Sequence, residues 1–344
     1  MIERTPQTPP VIAPVAEGVV RPLWSIMIPT YNCSGFLVET IESVLANFSD
    51  LNNVQIEVVD DKSTDKDVEK IVREMGNGNI AFFQQTMNVG SLRNFETCIN
   101  RARGQWIHIL HGDDKVEKGF YVEIESLFDA HPEAGAAFTG VSYIDEQGVS
   151  NAVNATITET NGILTDFLPQ LAVRTLIQPP SIVVKREVYE QLGSFFAVHY
   201  GEDWEMWVRI AAHYPVAYSP KVLAMYRSLR QDSISISSLR SGQNSRDIAR
   251  VIDIVQNHLP QERRKQLKNE ARRNYSKYSA SCAHLIYKEL KDEPAALNQA
   301  RLALAMHVNK VTVTSFIKLY LKIALEFLGL AHHFVKADPA NNKN

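Results

Sequence analysis

Cysteine is scarce in this chain of 344 residues, and its three cysteines are far apart. Cys33, Cys98 and Cys282 show neither the close pairing of a zinc site nor the even number of a disulfide framework. Unpaired thiols favour a reducing compartment, so we expect a cytoplasmic protein. No basic stretch followed by an apolar run opens the sequence, and we therefore expect no secretory signal.

An excess of charge of either sign is also missing. Lysine and arginine together number 36, aspartate and glutamate number 39, and the formal net charge is -3. Binding to a phosphate backbone favours a basic surface, so this balance predicts no nucleic-acid partner. A chain of 344 residues with 45% hydrophobic content is long enough for one large domain with an accessory region.

No apolar run is long and uncharged enough for a membrane-spanning helix, which needs about twenty such residues. The segment 311–336 repeats apolar residues at alternating steps of four and three, but Lys318, Lys322 and Glu326 interrupt it. Two interpretations remain for this segment. It is a helix packed on its neighbours, which is the commoner outcome, or an amphipathic helix in peripheral contact with the inner face of a membrane.

Composition divides the chain into four parts. Residues 1–22 contain five prolines and no sustained apolar period, which predicts a flexible or extended leader. Apolar runs alternate with helix-like segments over 23–235, and a helical pattern follows over 236–336. The remaining residues, 337–344, are predicted to be a disordered tail.

Short apolar runs predict the strands of the middle part. The first four runs are 24–29, 54–59, 80–83 and 106–110. Helix-like segments separate them, the clearest over 91–103, and further runs at 136–141 and 181–184 predict two more strands. Strands that alternate with helices predict an α/β fold with a mainly parallel, Rossmann-like sheet flanked by helices, followed by a C-terminal helical region.

Polar residues follow each of the first four strands, where ligands bind in such a sheet. The four tips are Pro29-Thr30-Tyr31-Asn32, Asp60-Asp61, Asn88-Val89-Gly90 and His111-Gly112-Asp113-Asp114. Carboxylates suit Mg²⁺ or Mn²⁺, and such a cation would neutralise a diphosphate leaving group. Taken singly, each acidic pair is explained equally well as a turn or a helix cap. Four polar tips in succession favour a binding site.

The order of these tips resembles the inverting family 2 glycosyltransferases, which have the GT-A fold. The resemblance covers about 24–230 and implies a nucleotide-binding half at 23–115 and an acceptor half at 116–235. It implies transfer of a sugar, with inversion, from a nucleoside-diphosphate sugar, a UDP-sugar first of all. The expected acceptor is a hydroxyl of a saccharide, a lipid-linked sugar or a protein glycan, in bacterial polysaccharide or glycoconjugate assembly.

The same resemblance assigns roles to individual residues. Thr30, Asp60 and Asn88 would contact the nucleotide, with Asp60 reading the base and Asp61 supporting its loop. Asp113 would match the closing aspartate of the family's Asp-X-Asp motif and bind Mg²⁺ or Mn²⁺, with Asp114 beside it. The full set implied for the nucleotide sugar is Pro29, Thr30, Tyr31, Asn32, Asp60, Asn88, Gly90, Arg93, His111, Gly112 and Asp113.

His111 departs from the family pattern, because it stands where the motif opens with an aspartate. A neutral imidazole lacks the charge of a carboxylate, although it can ligate a metal or bond a hydroxyl. The prediction of metal dependence therefore rests mostly on Asp113.

A second acidic pair, Glu202-Asp203, opens an amphipathic helix, where it would complement the helix dipole whatever its role. Direct displacement with inversion needs a base for the proton of the acceptor hydroxyl. The pair resembles the family's acceptor-side motif, in which the aspartate is the base. We therefore predict Asp203 as the catalytic base and Glu202 as its support. Trp204 stacks on a sugar or, as is commoner for tryptophan, is buried.

Arginines close the region of resemblance. Arg227 or Arg230 is expected to face the diphosphate, near a position where many family members carry a histidine that this chain lacks.

Two other functions remain open. A nucleotidyltransferase also uses a parallel sheet and acidic metal ligands, but it usually needs a glycine-rich loop, and only Gly35 follows the first strand closely. A sugar-binding protein that has lost turnover is the other alternative, and the helical region is also a candidate contact in a homo-oligomer.

Overall fold

The structure is a computed structural model and describes residues 3–228 and 233–328. Arg230, the predicted tail at 337–344 and the end of the predicted 311–336 helix lie outside the described residues.

The strands are β1 Trp24–Thr30, β2 Val54–Asp60, β3 Ile80–Gln84, β4 Trp106–Ile109, β5 Lys115–Val116, β6 Ala136–Ile144, β7 Ser150–Val153, β8 Gly162–Ile163, β9 Ile182–Lys185 and β10 Val216–Arg227. The helices are α1 Ser34–Leu45, α2 Val68–Gly76, α3 Ser91–Arg101, α4 Phe120–Ala130, α5 Phe167–Val173, α6 Arg186–Leu192, α7 Glu202–His213, α8 Ile234–Ser241, α9 Gln243–Val255, α10 Gln261–Leu285, α11 Glu293–Met306 and α12 Lys310–Phe327.

One mixed sheet organises the first 228 residues. Its strand order is β3-β2-β1-β4-β9-β6-β10-β5, with β7 beside β6 and β8 beside β10. Strands β1 to β4 run parallel to one another, whereas β9 is antiparallel to both of its neighbours. The predicted α/β class with a mainly parallel sheet and C-terminal helices is confirmed.

Helices cover both faces of this sheet, which explains why β1 is buried along its whole length. Met27 belongs to one apolar cluster, together with α3 and α7, while its neighbours Ile26 and Ile28 belong to a second cluster with α1 and α4. Successive side chains of a strand point to opposite faces, so a strand covered on both sides is apolar throughout.

The strand register brings the polar tips together. Thr30, the last residue of β1, pairs with Asp60, the last residue of β2, and Asp60 pairs with Gln84 at the end of β3. On the other side of β1, the residues after β4 are held by a hydrogen bond of 3.1 Å from the Gly112 amide to the Pro29 carbonyl. The four predicted tips therefore lie at one edge.

The C-terminal helices share a core with the sheet domain. The cluster that contains Trp204 also contains Val251, Leu267 and Tyr275 of α9 and α10, so buried contacts cross the domain boundary predicted at 235. A separate small cluster holds the outer helices together around Leu319 of α12.

Helix α12 has one side packed on its neighbours and one side exposed. Leu319 is fully buried, whereas Ile317, Leu321 and Phe327 are 50%, 54% and 89% exposed. Within the described residues, no helix combines the length and the apolar character needed to cross a membrane.

The leader forms no helix or strand over residues 3–22, but it is packed against the domain. Ile12 is buried in the main apolar cluster, and the Pro6 and Pro10 carbonyls accept hydrogen bonds of 2.8 and 2.9 Å from the amides of Ala197 and Ser194. Over its described residues, the leader that was predicted to be flexible or extended is held by specific contacts.

Candidate active site

The acidic loop after β4 lies directly against the end of β1. A Cβ atom on Gly112 would stand 2.8 Å from Thr30 Oγ1 and 3.0 Å from Cys33 Sγ, distances that folded proteins do not tolerate without a shift. The contact therefore requires glycine at this position, and it sets His111, Asp113 and Asp114 beside the β1 tip.

Three side chains of this loop form a candidate cation site. Ligand atoms of His111, Asp113 and Asp114 all lie within 4.8 Å of one another. Burial lowers the pKa of His111, which keeps the imidazole neutral and able to offer a lone pair. Two carboxylates and one neutral imidazole fit Mn²⁺ or Mg²⁺, since oxygen ligands suit both and imidazole suits first-row transition metals.

Asp114 and Arg227 hold the acidic loop in place. The Asp114 carboxylate is buried and accepts a hydrogen bond of 2.8 Å from the Arg227 amide. The Arg227 guanidinium donates to the Asp113 carbonyl at 2.8 Å and to the Asp145 carbonyl at 2.6 Å, and it lies 4.5 Å from the centre of the Phe36 ring. The Arg227 side chain is fully buried, so it has no exposed group for the diphosphate contact predicted for it. Its contacts instead support the loop.

Asp60 and Asp61 have different surroundings at the end of β2. The Asp60 carboxylate is buried and accepts hydrogen bonds of 2.5 Å from the Ser63 hydroxyl and 2.8 Å from the Gln84 amide. The Asp61 carboxylate accepts hydrogen bonds from the loop after β3, at 2.7 Å from the Val89 amide and 2.9 Å from the Gly90 amide. Burial raises the pKa of Asp61, although these two bonds oppose the shift.

Asn32 joins the first two tips. Its backbone is in the left-handed region, with φ of 48°, and its side-chain oxygen accepts a hydrogen bond of 2.8 Å from the Thr64 amide. The backbone amide of Asn32 donates a hydrogen bond of 3.0 Å to the Ser63 hydroxyl. The neighbouring Tyr31 is 47% exposed, so its ring is open to a ligand while Asn32 fixes the loop.

Glu202 and Asp203, the carboxylates predicted to lie on the acceptor side, begin helix α7. Gly201 precedes them with φ of 86°, a conformation that favours glycine and turns the chain into the helix. Burial raises the pKa of Asp203 to about 6. A hydrogen bond from the Trp204 amide acts in the opposite direction and partly offsets this rise. Burial, and then the charge of Asp203, raise the pKa of Glu202 well above its usual range.

A small cavity brings the two halves of the site together. It measures about 20 Å³, enough for one water molecule. Its lining includes His111 from the acidic loop and both Glu202 and Asp203 from α7. The His111 ring stacks on Phe95, with centroids 5.1 Å apart and planes 6° from parallel, and Phe95 also lines the cavity.

Trp204 is a core residue. It is 1% exposed, its indole N–H donates to the Leu171 carbonyl at 2.7 Å, and its ring lies 4.7 Å from that of Tyr275. Of the two sequence interpretations, stacking on a sugar is wrong and burial is correct.

Several residues of the site carry no sequence signal. Phe95 belongs to the apolar side of α3, and it also stacks on the His111 ring. Glu39 of α1 accepts bonds of 3.2 Å from both Lys115 and Arg227, and no motif marks it. Glu3 and Arg4 of the leader contact the nucleotide side, where only their place in the structure reveals them.

Comparison with known proteins agrees with this arrangement. The sequence profile described as glycosyl transferase family 2 matches residues 25–193. An uncharacterized glycosyltransferase of Mycoplasma genitalium is 32% identical over 98 residues, which are 27% of this chain and 33% of that protein. The chain spans between a third and three fifths of the length of the first curated relatives it matches, at 33%, 35% and 58%.

Solved structures share the fold at low sequence identity. Staphylococcus aureus TarS 1–349 in complex with UDP-GlcNAc has a TM-score of 0.63 and 15% identity, over 89% of this chain and 92% of that one. A mannosyltransferase of Pyrobaculum calidifontis in complex with GDP-Man and Mn²⁺ has a TM-score of 0.55 and 17% identity, over 94% and 87% of the two chains. The chain thus resembles glycosyl transferase family 2 over residues 25–193, and it shares the GT-A fold of these solved structures.

Proposed function

We propose that this protein transfers a glycosyl group, with inversion, from a nucleoside-diphosphate sugar to a hydroxyl acceptor. One observation carries the proposal. His111 of the acidic loop and Asp203 of α7 stand 92 positions apart in the sequence (203 − 111) and line the same cavity. A candidate cation site and a candidate base thus contribute to one cavity, which supports the arrangement that a single displacement requires.

Asp203 is the proposed base. It would take the proton of the acceptor hydroxyl as the oxygen attacks the anomeric carbon, and the bond from that carbon to the diphosphate breaks on the opposite side. A base is most effective when its pKa is near the working pH, and burial raises the pKa of Asp203 to about 6. Burial, and then the charge of Asp203, also raise the pKa of the adjacent Glu202.

His111, Asp113 and Asp114 are the proposed ligands of Mg²⁺ or Mn²⁺. When bound, the cation supplies charge that neutralises the diphosphate leaving group. The residues on the nucleotide side are proposed to be Thr30, Asp60, Asn88 and Arg93. The relatives of known structure bind UDP-GlcNAc in one case and GDP-Man with Mn²⁺ in the other, which supports a nucleoside-diphosphate donor and leads us to propose a UDP-sugar first.

The setting that we propose is polysaccharide or glycoconjugate assembly in a cytoplasmic, membrane-associated location. The exposed apolar side of α12, with Ile317, Leu321 and Phe327, supports a peripheral membrane contact or a contact between copies of the chain. Sedimentation with vesicles of anionic lipid distinguishes the two. Co-sedimentation that Leu321→Asp abolishes supports membrane contact, whereas a dimer that Leu321→Asp dissociates supports the alternative.

Thermal unfolding in the presence of nucleotide sugars tests the donor site. A ligand stabilises the folded protein by RT ln(1 + [L]/Kd), which is about 2.7 kcal/mol at a hundredfold excess over Kd. We expect one UDP- or GDP-sugar to raise the melting temperature and Mn²⁺ to enlarge the increase. Asp113→Asn should remove the effect of Mn²⁺, while Asp129→Asn, an exposed carboxylate on α4, should not. Stabilisation by no nucleotide sugar would contradict the proposal.

A separate reaction assay tests the alternative enzyme class. Release of pyrophosphate from a nucleoside triphosphate and a sugar 1-phosphate would favour a nucleotidyltransferase. Slow hydrolysis of the nucleotide sugar without an acceptor would exclude a protein that binds sugars but has lost turnover.

A further inference from the structure

The N-terminal segment 3–13, named the strap below, connects the loop after β3 with the segment before α7. Its second half is anchored. Ile12 is 1% exposed, the Arg186 guanidinium donates to the Ala13 carbonyl at 2.9 Å, and the Ser194 amide donates to the Pro10 carbonyl at 2.9 Å. A Cβ atom on Gly193 would stand 2.7 Å from the Pro10 carbonyl oxygen, so the strap lies in close contact with this turn.

The first three residues of the strap, its tip, reach the nucleotide side. The Arg4 guanidinium donates to the side-chain oxygen of Asn88. It also covers Gly90, where an added Cβ atom would meet Arg4 Nε at 3.0 Å. The Glu3 carbonyl accepts a hydrogen bond of 2.8 Å from Arg93 Nε, and the Glu3 carboxylate lies 4.0 Å from the same guanidinium.

The tip also reaches the loop that leads to the proposed base, because the Thr5 hydroxyl and the His199 imidazole are 2.5 Å apart. Directly after the tip, the Pro6 carbonyl accepts a hydrogen bond from the Ala197 amide. His199 lies four residues before Asp203 (203 − 199). The tip therefore contacts both the loop after β3 and the loop before α7.

The tip contacts residues that are also proposed to bind the nucleotide of the donor. Asn88, Gly90 and Arg93 belong to the proposed nucleotide side, and the tip engages a polar atom of Asn88, the surface of Gly90 and the Nε donor of Arg93. A hydrogen-bond donor aimed at Glu3 is not available to a nucleotide, and the Glu3 carboxylate adds a negative charge where an anionic ligand would approach.

From these contacts we infer that the strap tip, Glu3–Thr5, is an autoinhibitory contact that competes with the nucleotide for Asn88 and Arg93. The inference rests on the proposed function. The anchored half of the strap stays in place, and the nucleotide displaces the tip. Only the fraction of molecules with a displaced tip binds, so the observed Kd is the intrinsic Kd divided by that fraction.

Calorimetric titration of UDP and of GDP into four proteins tests this competition. These are the full chain, a variant that lacks residues 2–5, Arg4→Ala, and the matched control Arg21→Ala. Arg21 is a leader arginine that donates to the carbonyls of Arg103 and Gly104, away from Asn88. Removing the tip should lower the Kd by about tenfold, the worth of one hydrogen bond to a charged group. Arg4→Ala should lower it in the same direction, and Arg21→Ala should leave it unchanged.

Each other outcome overturns a defined part of the proposal. Equal affinity in all four proteins overturns the autoinhibitory strap and leaves the donor site intact. Weaker binding after removal of the tip also overturns it, because the tip would then be part of the donor site. Absence of binding of either nucleotide to any of the four proteins overturns the proposed donor site itself, and the inference with it.

Discussion

At the scale of the residue, two adjacent carboxylates differ through their surroundings. Glu202 and Asp203 share the first turn of α7 and the same cavity, and burial raises the pKa of both. The Trp204 amide donates to Asp203 at 2.7 Å and limits its shift to a pKa of about 6, so Asp203 is ionised at neutral pH. Carboxylates whose pKa values are raised in this way are typical of acid–base sites.

The pH dependence of transfer follows from this pKa. The base must be unprotonated, and the pKa of Asp203 lies at about 6, above its usual value of 3.8. We expect kcat/KM to rise about tenfold per pH unit below pH 6 and to level off above pH 7. Initial rates between pH 4.5 and 8 measure this profile, and a rate that stays constant between pH 5 and 7 would contradict it.

At the scale of the element, the sequence predicts the strands and their tips better than the connections. Runs of buried apolar residues marked β1, β2 and β4, which lie inside the sheet, while the edge strand β3 is apolar but only partly buried. Strand β10 was missed, since Pro220 and a register shift between Ser219 and Val222 interrupt its pattern. Strands β5 and β8 have two residues each, too few to show a period.

Gly112 tests the contact between two tips. Alanine there would bring a Cβ atom to 2.8 Å from Thr30 Oγ1 and 3.3 Å from the Pro29 carbonyl oxygen, so the acidic loop must move. We expect Gly112→Ala to lower the free energy of unfolding by about 1–3 kcal/mol and to weaken nucleotide-sugar binding. Denaturant unfolding and calorimetry measure both effects.

Gly35→Ala is the matched control for this substitution. Gly35 lies in the first turn of α1 and has no atom within 4 Å of an added Cβ. Its replacement should leave binding unchanged and stability equal or slightly higher, because alanine favours the helix. Equal effects of the two substitutions would contradict a specific contact at Gly112.

At the scale of the whole molecule, long-range packing decides what local patterns leave open. The boundary predicted at 235 follows a change of pattern, yet Tyr275 of α10 packs on Trp204 of the sheet domain. The leader was predicted as flexible or extended because proline disfavours helix and strand. The backbone carbonyls of Pro6 and Pro10 instead hold the leader on the domain through hydrogen bonds. Hydrogen bonds of the backbone cannot be predicted from the side-chain composition.

Tyr275 tests whether the helices and the sheet unfold together. Its ring is 8% exposed, and its hydroxyl accepts a hydrogen bond of 2.9 Å from the Thr175 amide. We expect Tyr275→Ala to cost about 3–5 kcal/mol, as for other large aromatic residues in a core, within a single unfolding transition. Tyr320→Ala, at an α12 position that is 59% exposed, should change stability by less than about 0.5 kcal/mol. Two separate transitions would contradict a shared core.

Replacement of the proposed base by its neutral isostere tests the central claim most directly. With the nucleotide sugar that stabilises the protein most, proton NMR should show inversion at the anomeric carbon in the wild-type product. Asp203→Asn should lower kcat by about 10²–10⁴-fold. It should keep the donor Kd, and it should unfold at an equal or higher temperature, because ionising Asp203, whose pKa is raised to about 6, lowers stability at pH 7. Turnover by Asp203→Asn at the wild-type rate would contradict the assignment of Asp203 as the base.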